Sequence, residues 1–177
     1  AGAGIGLLTF VSDDAQLREM TSWQLGSLSN ATWSAGLAAL PPVAAGAGLL
    51  LPTGRALNAL ALGEREAFSL GVAVPGLQRR IVFGSALAVG GAVAAAGGIG
   101  FVGLMVPHLV RLACGADNRW VLPCAALGGA TLVVVADAAA RTVVQPVEMP
   151  VGVVMALVGG PFFLWLLLRQ RREPAHA

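Results

Sequence analysis

Long apolar runs separated by short charged islands dominate the chain. Uncharged runs cover residues 20–54, 81–110, 120–136, 142–147 and 149–168. A helix needs about 20 apolar residues to cross about 30 Å of hydrocarbon. The pattern therefore predicts membrane-spanning helices at 35–52, 120–138 and 149–168, and the end of another span at 1–11. The run at 81–110 fits either one long span or two short arms folded at its glycine-rich centre, 97–100.

The arginines choose between these topologies, because cytoplasmic loops carry an excess of positive charge. With arms at 81–97 and 101–113, nine arginines lie on one side and only Arg18 and Arg141 lie on the other. A single span gives five against six. We therefore predict the hairpin and a cytoplasmic C-terminus. The external segment is then 12–34, the cytoplasmic segment 53–80, and the last external turn 139–148.

Composition places the chain in the membrane, since 56% of its 177 residues are hydrophobic and 11% are charged. A soluble domain carries about 25% charged residues. We predict one all-α domain over 1–177, a polytopic transmembrane helical bundle with five full spans and the end of a sixth. The 24 glycines indicate close helix packing, for example through the small residues Ala92, Ala96 and Gly100 at four-residue spacing.

Charge and cysteine content exclude several functions. All eleven basic residues are arginine, and a P-loop requires lysine, so we expect a partner to hydrolyse any ATP that is used. A net charge of +2 gives no reason to expect a nucleic-acid partner. Cys114 and Cys124 lack the spacing of a metal or redox pair and are interpreted as small hydrophobic residues. Without an initiator Met or a charged n-region, the chain looks truncated at its start.

Residues 97–111, GGIGFVGLMVPHLVR, resemble the GxIGFVGLxxPHxxR signature of the ABC-importer permeases for iron-siderophores, haem and cobalamin. Residues 62–72 look like the coupling segment of that family, and residues 148–165 look like its final helix. The resemblance covers the whole chain and implies the C-terminal half of the ten-helix type II importer permease fold. The matched signature residues are Gly100, Phe101, Gly103, Pro107, His108 and Arg111.

Two departures from the family pattern lie at turns: residues 115–119 read GADNR where members often have GPDHR, and residues 147–150 read VEMP instead of AELP. Residues 13–19, 23–28 and 57–64 look most similar to haem permeases. The resemblance thus implies import of haem or another iron chelate across a bacterial inner membrane. A ferric-siderophore or cobalamin permease is the alternative.

The resemblance also implies two docking surfaces. The ATPase-coupling segment is interpreted as a short helix, a turn at Gly71 and a second helix, with a halt at Pro75–Gly76; a solvated loop is the alternative. Arg141 and Glu148 are the candidates for docking the substrate-binding protein. The alternative for Arg141 is a structural role, either as a membrane anchor or in a local ion pair with Asp137. The coupling candidates are Leu62, Gly63, Glu64, Glu66, Ala67, Leu70, Gly71 and Val72.

Candidates for the substrate pathway have simpler alternatives. Met155 and Met149 suit either an apolar pathway or a packed core, and Trp23 suits either the pathway mouth or the interfacial aromatic belt. His108 is a conceivable haem ligand, but we favour a bond to backbone carbonyls freed by a helix break at Pro107. The full pathway set is Trp23, Gly26, Ser27, Met149 and Met155.

An intramembrane enzyme is the rival from another class, but neither H-E-x-x-H nor G-x-S-x-G occurs, and we predict no catalytic or metal site. A truncated, non-functional permease is a third possibility. The predicted partners are a second permease copy, ATP-binding subunits, a periplasmic or lipoprotein substrate-binding protein and membrane lipid. We expect no cofactor in this chain, with ATP and Mg held by the partner ATPase.

Overall fold

The computed structural model describes residues 12–29, 31–143 and 149–172. The predicted end of a span at 1–11, and Glu148, lie outside the described residues. A 3-10 turn at Leu51–Thr53 joins the second helix to the third. The α-helices are α1 (Asp14–Leu25), α2 (Trp33–Leu50), α3 (Gly54–Leu60), α4 (Glu64–Ser69), α5 (Val74–Ala96), α6 (Val102–Cys114), α7 (Asn118–Val143) and α8 (Val151–Arg172).

Helices α2 and α5 pack antiparallel, and glycines bring their backbones together. A Cβ at Gly46 would lie 2.5 Å from the carbonyl oxygen of Gly84 and 2.6 Å from the nitrogen of Ala88. Further along, a Cβ at Gly91 would meet Pro42 at 2.9 Å. Small residues thus permit the close approach that apolar helices need in lipid.

The predicted example of close helix approach, the stripe Ala92, Ala96 and Gly100, was wrong. A Cβ at Gly100 would have no neighbour within 4 Å, and Ala92 is exposed. The reason is that α5 ends at Ala96, so Gly100 cannot continue a helical stripe.

The chain reverses direction at 97–101, which confirms the predicted hairpin. One end of the molecule is here called the α4 end. There Gly54 contacts Arg119, which follows α6 in the chain. Thr53 and Arg80, at the start of α5, line the same cleft at this end. At the opposite end, called the Gly152 end, the Ser27 N–H donates to the Ala96 carbonyl at 2.9 Å. The start of α5 and the end of α6 therefore share the α4 end. The two arms are splayed, with α5 along α2 and α6 along α7.

Helix α5 begins at Val74, seven residues before the predicted start of the first membrane arm at about 81. Pro75 lies in its first turn, where the missing N–H has no intrahelical partner to lose. The proposed halt at Pro75–Gly76 is thus the beginning of a helix of 23 residues.

Four helical stretches of the described chain are long and apolar enough to span a membrane by length and composition, and the fifth predicted span corresponds to the shorter apolar helix α6. The four stretches are Trp33–Leu60, Val74–Ala96, Asn118–Thr142 and Val151–Leu168. Helix α6 has 13 residues and extends about 20 Å at 1.5 Å per residue. It is too short to cross about 30 Å of hydrocarbon alone, because residues 97–101 form a non-helical break instead of its first turn.

A small core joins α6, α7 and α8. Met105, Ala136, Val151 and Met155 form one buried cluster. Many large apolar side chains point outward instead, including Leu127, Leu157 and Leu164. This inversion is expected where lipid, not water, surrounds the helices.

Candidate coupling, docking and pathway surfaces

Helix α4 is a short, sharply bounded helix at the centre of the predicted coupling segment. The helix ends in a Schellman motif, in which the Val72 N–H donates to the Ala67 carbonyl at 2.9 Å and the Gly71 N–H donates to the Phe68 carbonyl at 2.9 Å. Gly71 has a φ of 82°, which glycine adopts without steric cost. The predicted short helix and turn at Gly71 are confirmed, and the coupling role of the segment stays a prediction.

The exposed surface of α4 and of the turns on either side of it is apolar with a charged border. Leu62, Phe68 and Leu70 are 68%, 76% and 65% exposed. Glu64 and Glu66 lie in its first turn, and both are exposed. Ala67 is fully buried and anchors the helix to the rest of the molecule. An exposed apolar cluster with polar surroundings is typical of a protein-binding surface.

Sequence reasoning missed a polar cluster next to α4. The Asn58 side-chain amide donates to Asp117 Oδ1 at 2.6 Å. Asn58 Oδ1 accepts from the backbone and side-chain nitrogens of Asn118, each at 2.9 Å. The Arg111 guanidinium donates to Asn118 Oδ1 at 3.0 Å. We call Asn58, Arg111, Asp117 and Asn118 the polar clamp, which joins α3, α6 and α7.

Asp117 also starts α7. Its Oδ1 accepts the Arg119 N–H at 2.9 Å, as an N-cap carboxylate does. That N–H first, and the Asn58 amide second, hold the pKa of the Asp117 carboxyl below its ordinary value. Asp117 is therefore ionised throughout the neutral range. An aspartate just before an apolar helical run was the sequence signal that could have identified this cap.

Arg141 lies at the Gly152 end and has partners within the chain. Its Nε donates to Asp137 Oδ2 at 2.8 Å, and its guanidinium donates to the Leu28 carbonyl at 3.2 Å. Arg141 therefore links α7 to the loop between α1 and α2. The local ion pair considered from the sequence is present, and the docking role of Arg141 stays a prediction.

At the Gly152 end, backbone segments from three parts of the chain touch one another at glycines. We call this set the glycine junction: Gly26, Gly97, Gly98 and Gly152. The Gly98 N–H donates to the Trp23 carbonyl at 3.2 Å, and the Gly152 N–H donates to the Gly26 carbonyl at 3.3 Å. A Cβ on Gly152 would run into the Leu25 carbonyl oxygen. The ends of α1 and α5 and the start of α8 thus meet where only glycine fits.

This junction brings together three of the predicted pathway residues, Trp23, Gly26 and Ser27, with the loop that precedes the signature helix. Met155 is elsewhere: it is 1% exposed in the core, which matches the packing alternative. Met149 is half-buried just before α8. The pathway assignment of all five residues stays a prediction.

The signature residues have distinct positions. Phe101 adopts a left-handed φ of 65° at the start of α6, and its ring covers Gly159, where a Cβ would meet it at 2.5 Å. Such a conformation is strained for a residue with a side chain. Arg111 belongs to the polar clamp, whereas Gly103 has open space beside it. Gly159, the glycine that the Phe101 ring covers, was not identified from the sequence.

The predicted helix break at Pro107 was wrong, because α6 continues through it from Val102 to Cys114. The His108 ring instead meets the Phe162 ring edge-on, with centroids 6.0 Å apart. The cavity beside it has a volume of about 80 Å³, and ligand sites usually have about 300–1,000 Å³. This geometry gives no support to haem ligation. Among the described residues, no group of three His, Cys, Asp or Glu side chains is placed to hold a metal ion.

Comparison with known proteins gives one family model, the FecCD transport family, matched over residues 1–169. The hemin transport system permease protein HmuU of Yersinia pestis is 52% identical over 97% of this chain and 52% of its own length. The vitamin B12 import system permease protein BtuC of Vibrio vulnificus is 41% identical, over 96% of this chain and 51% of its own.

A solved structure described as an inward-facing metal-chelate type ABC transporter matches with a TM-score of 0.88 and 36% identity. The match covers 95% of this chain and 55% of that chain. The chain spans about half the length of the curated relatives it matches. The sequence-based resemblance and the all-α membrane fold are confirmed by these matches.

Proposed function

The chain belongs to the FecCD transport family, and on this premise we propose that it is the permease part of a binding-protein-dependent ABC importer. The cargo is haem or another iron chelate, carried into the cytoplasm. The observation that carries the proposal is the 52% identity to a hemin permease along nearly the whole chain. A cobalamin permease is the second candidate, because a vitamin B12 import permease is 41% identical and a cobalamin import permease is 43% identical.

Transport of three substrates tests this function. The full-length protein is reconstituted with its ATPase and binding protein, and ATP-dependent uptake of haem, a ferric siderophore and cobalamin is compared. We expect haem uptake to exceed the other two. Greater cobalamin uptake would move the assignment to the second candidate, and no ATP-dependent uptake of any substrate would reject the importer.

Energy for transport comes from a separate ATPase subunit that holds ATP and Mg. The absence of lysine means that these 177 residues contain no P-loop. The support for an ATPase contact is the exposed apolar surface formed by α4 and its flanking residues Leu62 and Leu70, since a short helix with apolar and charged residues can enter a groove of a partner. The three exposed apolar side chains supply contact area, and the carboxylates of the first turn fix the register.

Arg141 and Glu148 receive the substrate-binding protein on the external side. The Arg141 side chain is 46% exposed at the Gly152 end, and the ion pair with Asp137 fixes its position. Rim charges of this kind act mainly on the association rate and are screened by salt. Both properties are measurable without knowing the partner's structure.

Arg141→Glu tests this docking, with Arg18→Glu as the matched control, because Arg18 is the other predicted external arginine and is exposed. We expect the Arg141 variant to slow binding-protein association at low salt, and the deficit to shrink as salt rises. An association rate equal to that of the parent at low salt would assign Arg141 to a purely local role.

The complete permease is a homodimer in the bacterial inner membrane, surrounded by lipid, with its C-terminus in the cytoplasm. The nine-to-two distribution of arginines supports this orientation. The mass of the full-length protein in lipid nanodiscs tests the pairing. Two copies per particle are expected, and one copy with full transport activity would contradict it.

A further inference from the structure

We propose that the polar clamp is the connection through which movement of α4 reaches α6 and α7. This inference rests on the proposed coupling role of α4. It assigns Asn58, which was not among the predicted site residues, as a positioning residue for transport. Asn58 lies on α3, the helix immediately before α4 along the chain.

A single side chain holds both residues that begin α7. Asn58 donates to the Asp117 carboxylate at 2.6 Å and accepts two bonds from Asn118 at 2.9 Å. The amide donor of Asn58 thus faces the charged carboxylate of Asp117, and its amide acceptor faces the two N–H donors of Asn118. Bonds to an ionised carboxylate are about twice as strong as neutral ones, and Asp117 is ionised at neutral pH. The clamp therefore joins α3 to the start of α7 through three side-chain hydrogen bonds of Asn58.

Gly54 provides a second contact on the same helix, one turn before Asn58. A Cβ there would lie 2.8 Å from the Arg119 Cα and 3.0 Å from the Asn118 carbonyl oxygen. The backbones of α3 and α7 therefore touch where the side chains hydrogen-bond. The Arg111 bond to Asn118 extends the contact to α6. Two elements of the transmembrane bundle are thus fixed to α3.

The connection from α4 to α3 is short and hydrogen-bonded. Residues 61–63 separate the two helices, and the N–H groups of Leu62 and Gly63 donate to the carbonyls of Ala59 and Leu60 at 3.1 Å. A displacement of α4 is therefore transmitted to α3 instead of being absorbed by a long loop. Hydrogen-bond networks of this kind carry coupling between distant sites when they join rigid elements.

The test uses Asn58→Asp in the full-length permease assembled with its ATPase. The change keeps the side-chain size, removes the donor and sets a carboxylate against Asp117. We expect the same amount of bound ATPase and the same rate of ATP hydrolysis. The amount of substrate moved per ATP should fall by a factor of roughly five or more, a factor in the range of typical coupling energies. Gln78→Glu is the control, because it adds the same charge at an exposed position on α5.

A second substitution separates positioning from general damage. Asn58→Asp with Asp117→Asn restores a donor opposite an acceptor, and we expect substrate moved per ATP to recover. Asn58→Ala, which removes the bonds without repulsion, is measured in parallel in case the Asp variant does not assemble. Parent-like transport per ATP in both single variants, or no recovery in the double variant, would overturn the proposal.

The proposed function is tested independently by Phe68→Glu, which alters the exposed face of α4 and leaves the clamp intact. If Phe68→Glu keeps its ATPase bound, the coupling role of α4 fails. If Phe68→Glu loses the ATPase while Asn58→Asp transports normally, only the clamp proposal fails.

Discussion

Single glycines determine where the helices meet at the Gly152 end. The sequence showed many glycines and predicted close packing, but it could not show which of them have a neighbour. Gly152 faces the Leu25 carbonyl, whereas Gly160, in the same helix, has open space beside it. The difference arises from contacts between α8 and α1, which lie more than 120 residues apart and leave no local pattern.

Gly152→Ala should therefore be damaging and Gly160→Ala should not. The first change forces the backbone of α1 or α8 to move, and overpacking of this kind costs about 1–3 kcal/mol. The second removes a flexible residue from a helix interior, a change that gains up to about 1 kcal/mol. The apparent melting temperatures of the two full-length variants in detergent measure this. Equal temperatures for both would show that the junction is not tightly packed.

At the scale of elements, short-range patterns were predicted well and boundaries less well. The short helix and the turn at Gly71 followed from the apolar and charged residues around them, and the structure contains both. Pro75 was interpreted as a stop although it begins α5, since proline ends a helix from the inside but fits its first turn. The clamp was not found because Asn58 and Asp117 are distant in sequence and meet only in the fold.

The stop of α4 should depend on Gly71 and not on Gly76. Gly71 has a φ of 82° with no neighbour within 4 Å of a Cβ, so Gly71→Ala meets only backbone strain of about 1–2 kcal/mol. That strain reorients the residues after α4 and should reduce ATP-dependent transport. Gly76→Ala, in the first turns of α5 with its nearest neighbour at 3.9 Å, is the control. Transport that falls equally in both variants would point to a general effect of losing a glycine.

At the scale of the whole molecule, charge distribution and geometry agree. The arginine count predicted that residues 53–80 and the end of α6 lie on one side, and the contact of Gly54 with Arg119 puts them at one end. The membrane side itself follows only from the positive-inside rule. Apolar length alone could not show that α6 is a short helix that begins after a non-helical break at 97–101.

Cysteine labelling decides the orientation. Single cysteines at Arg65 and Gln78, in a background without Cys114 and Cys124, should resist an impermeant thiol reagent in intact cells and react after the membrane is opened. A cysteine at the exposed residue Arg18 on α1 should react in intact cells. The reverse labelling pattern would show that the predicted topology has the wrong orientation in the membrane.

The central claim, that α4 carries the contact between this permease and an ATPase, is tested most directly by site-specific cross-linking. Phe68→Cys is introduced into the full-length protein without its native cysteines, and a short thiol-reactive cross-linker is applied to the assembled transporter. Phe83→Cys is the control, because Phe83 is also an exposed phenylalanine but lies on the spanning helix α5. We predict a covalent product between residue 68 and the ATPase subunit and none from residue 83. An assembled, ATP-hydrolysing transporter in which residue 68 forms no such product would contradict the account.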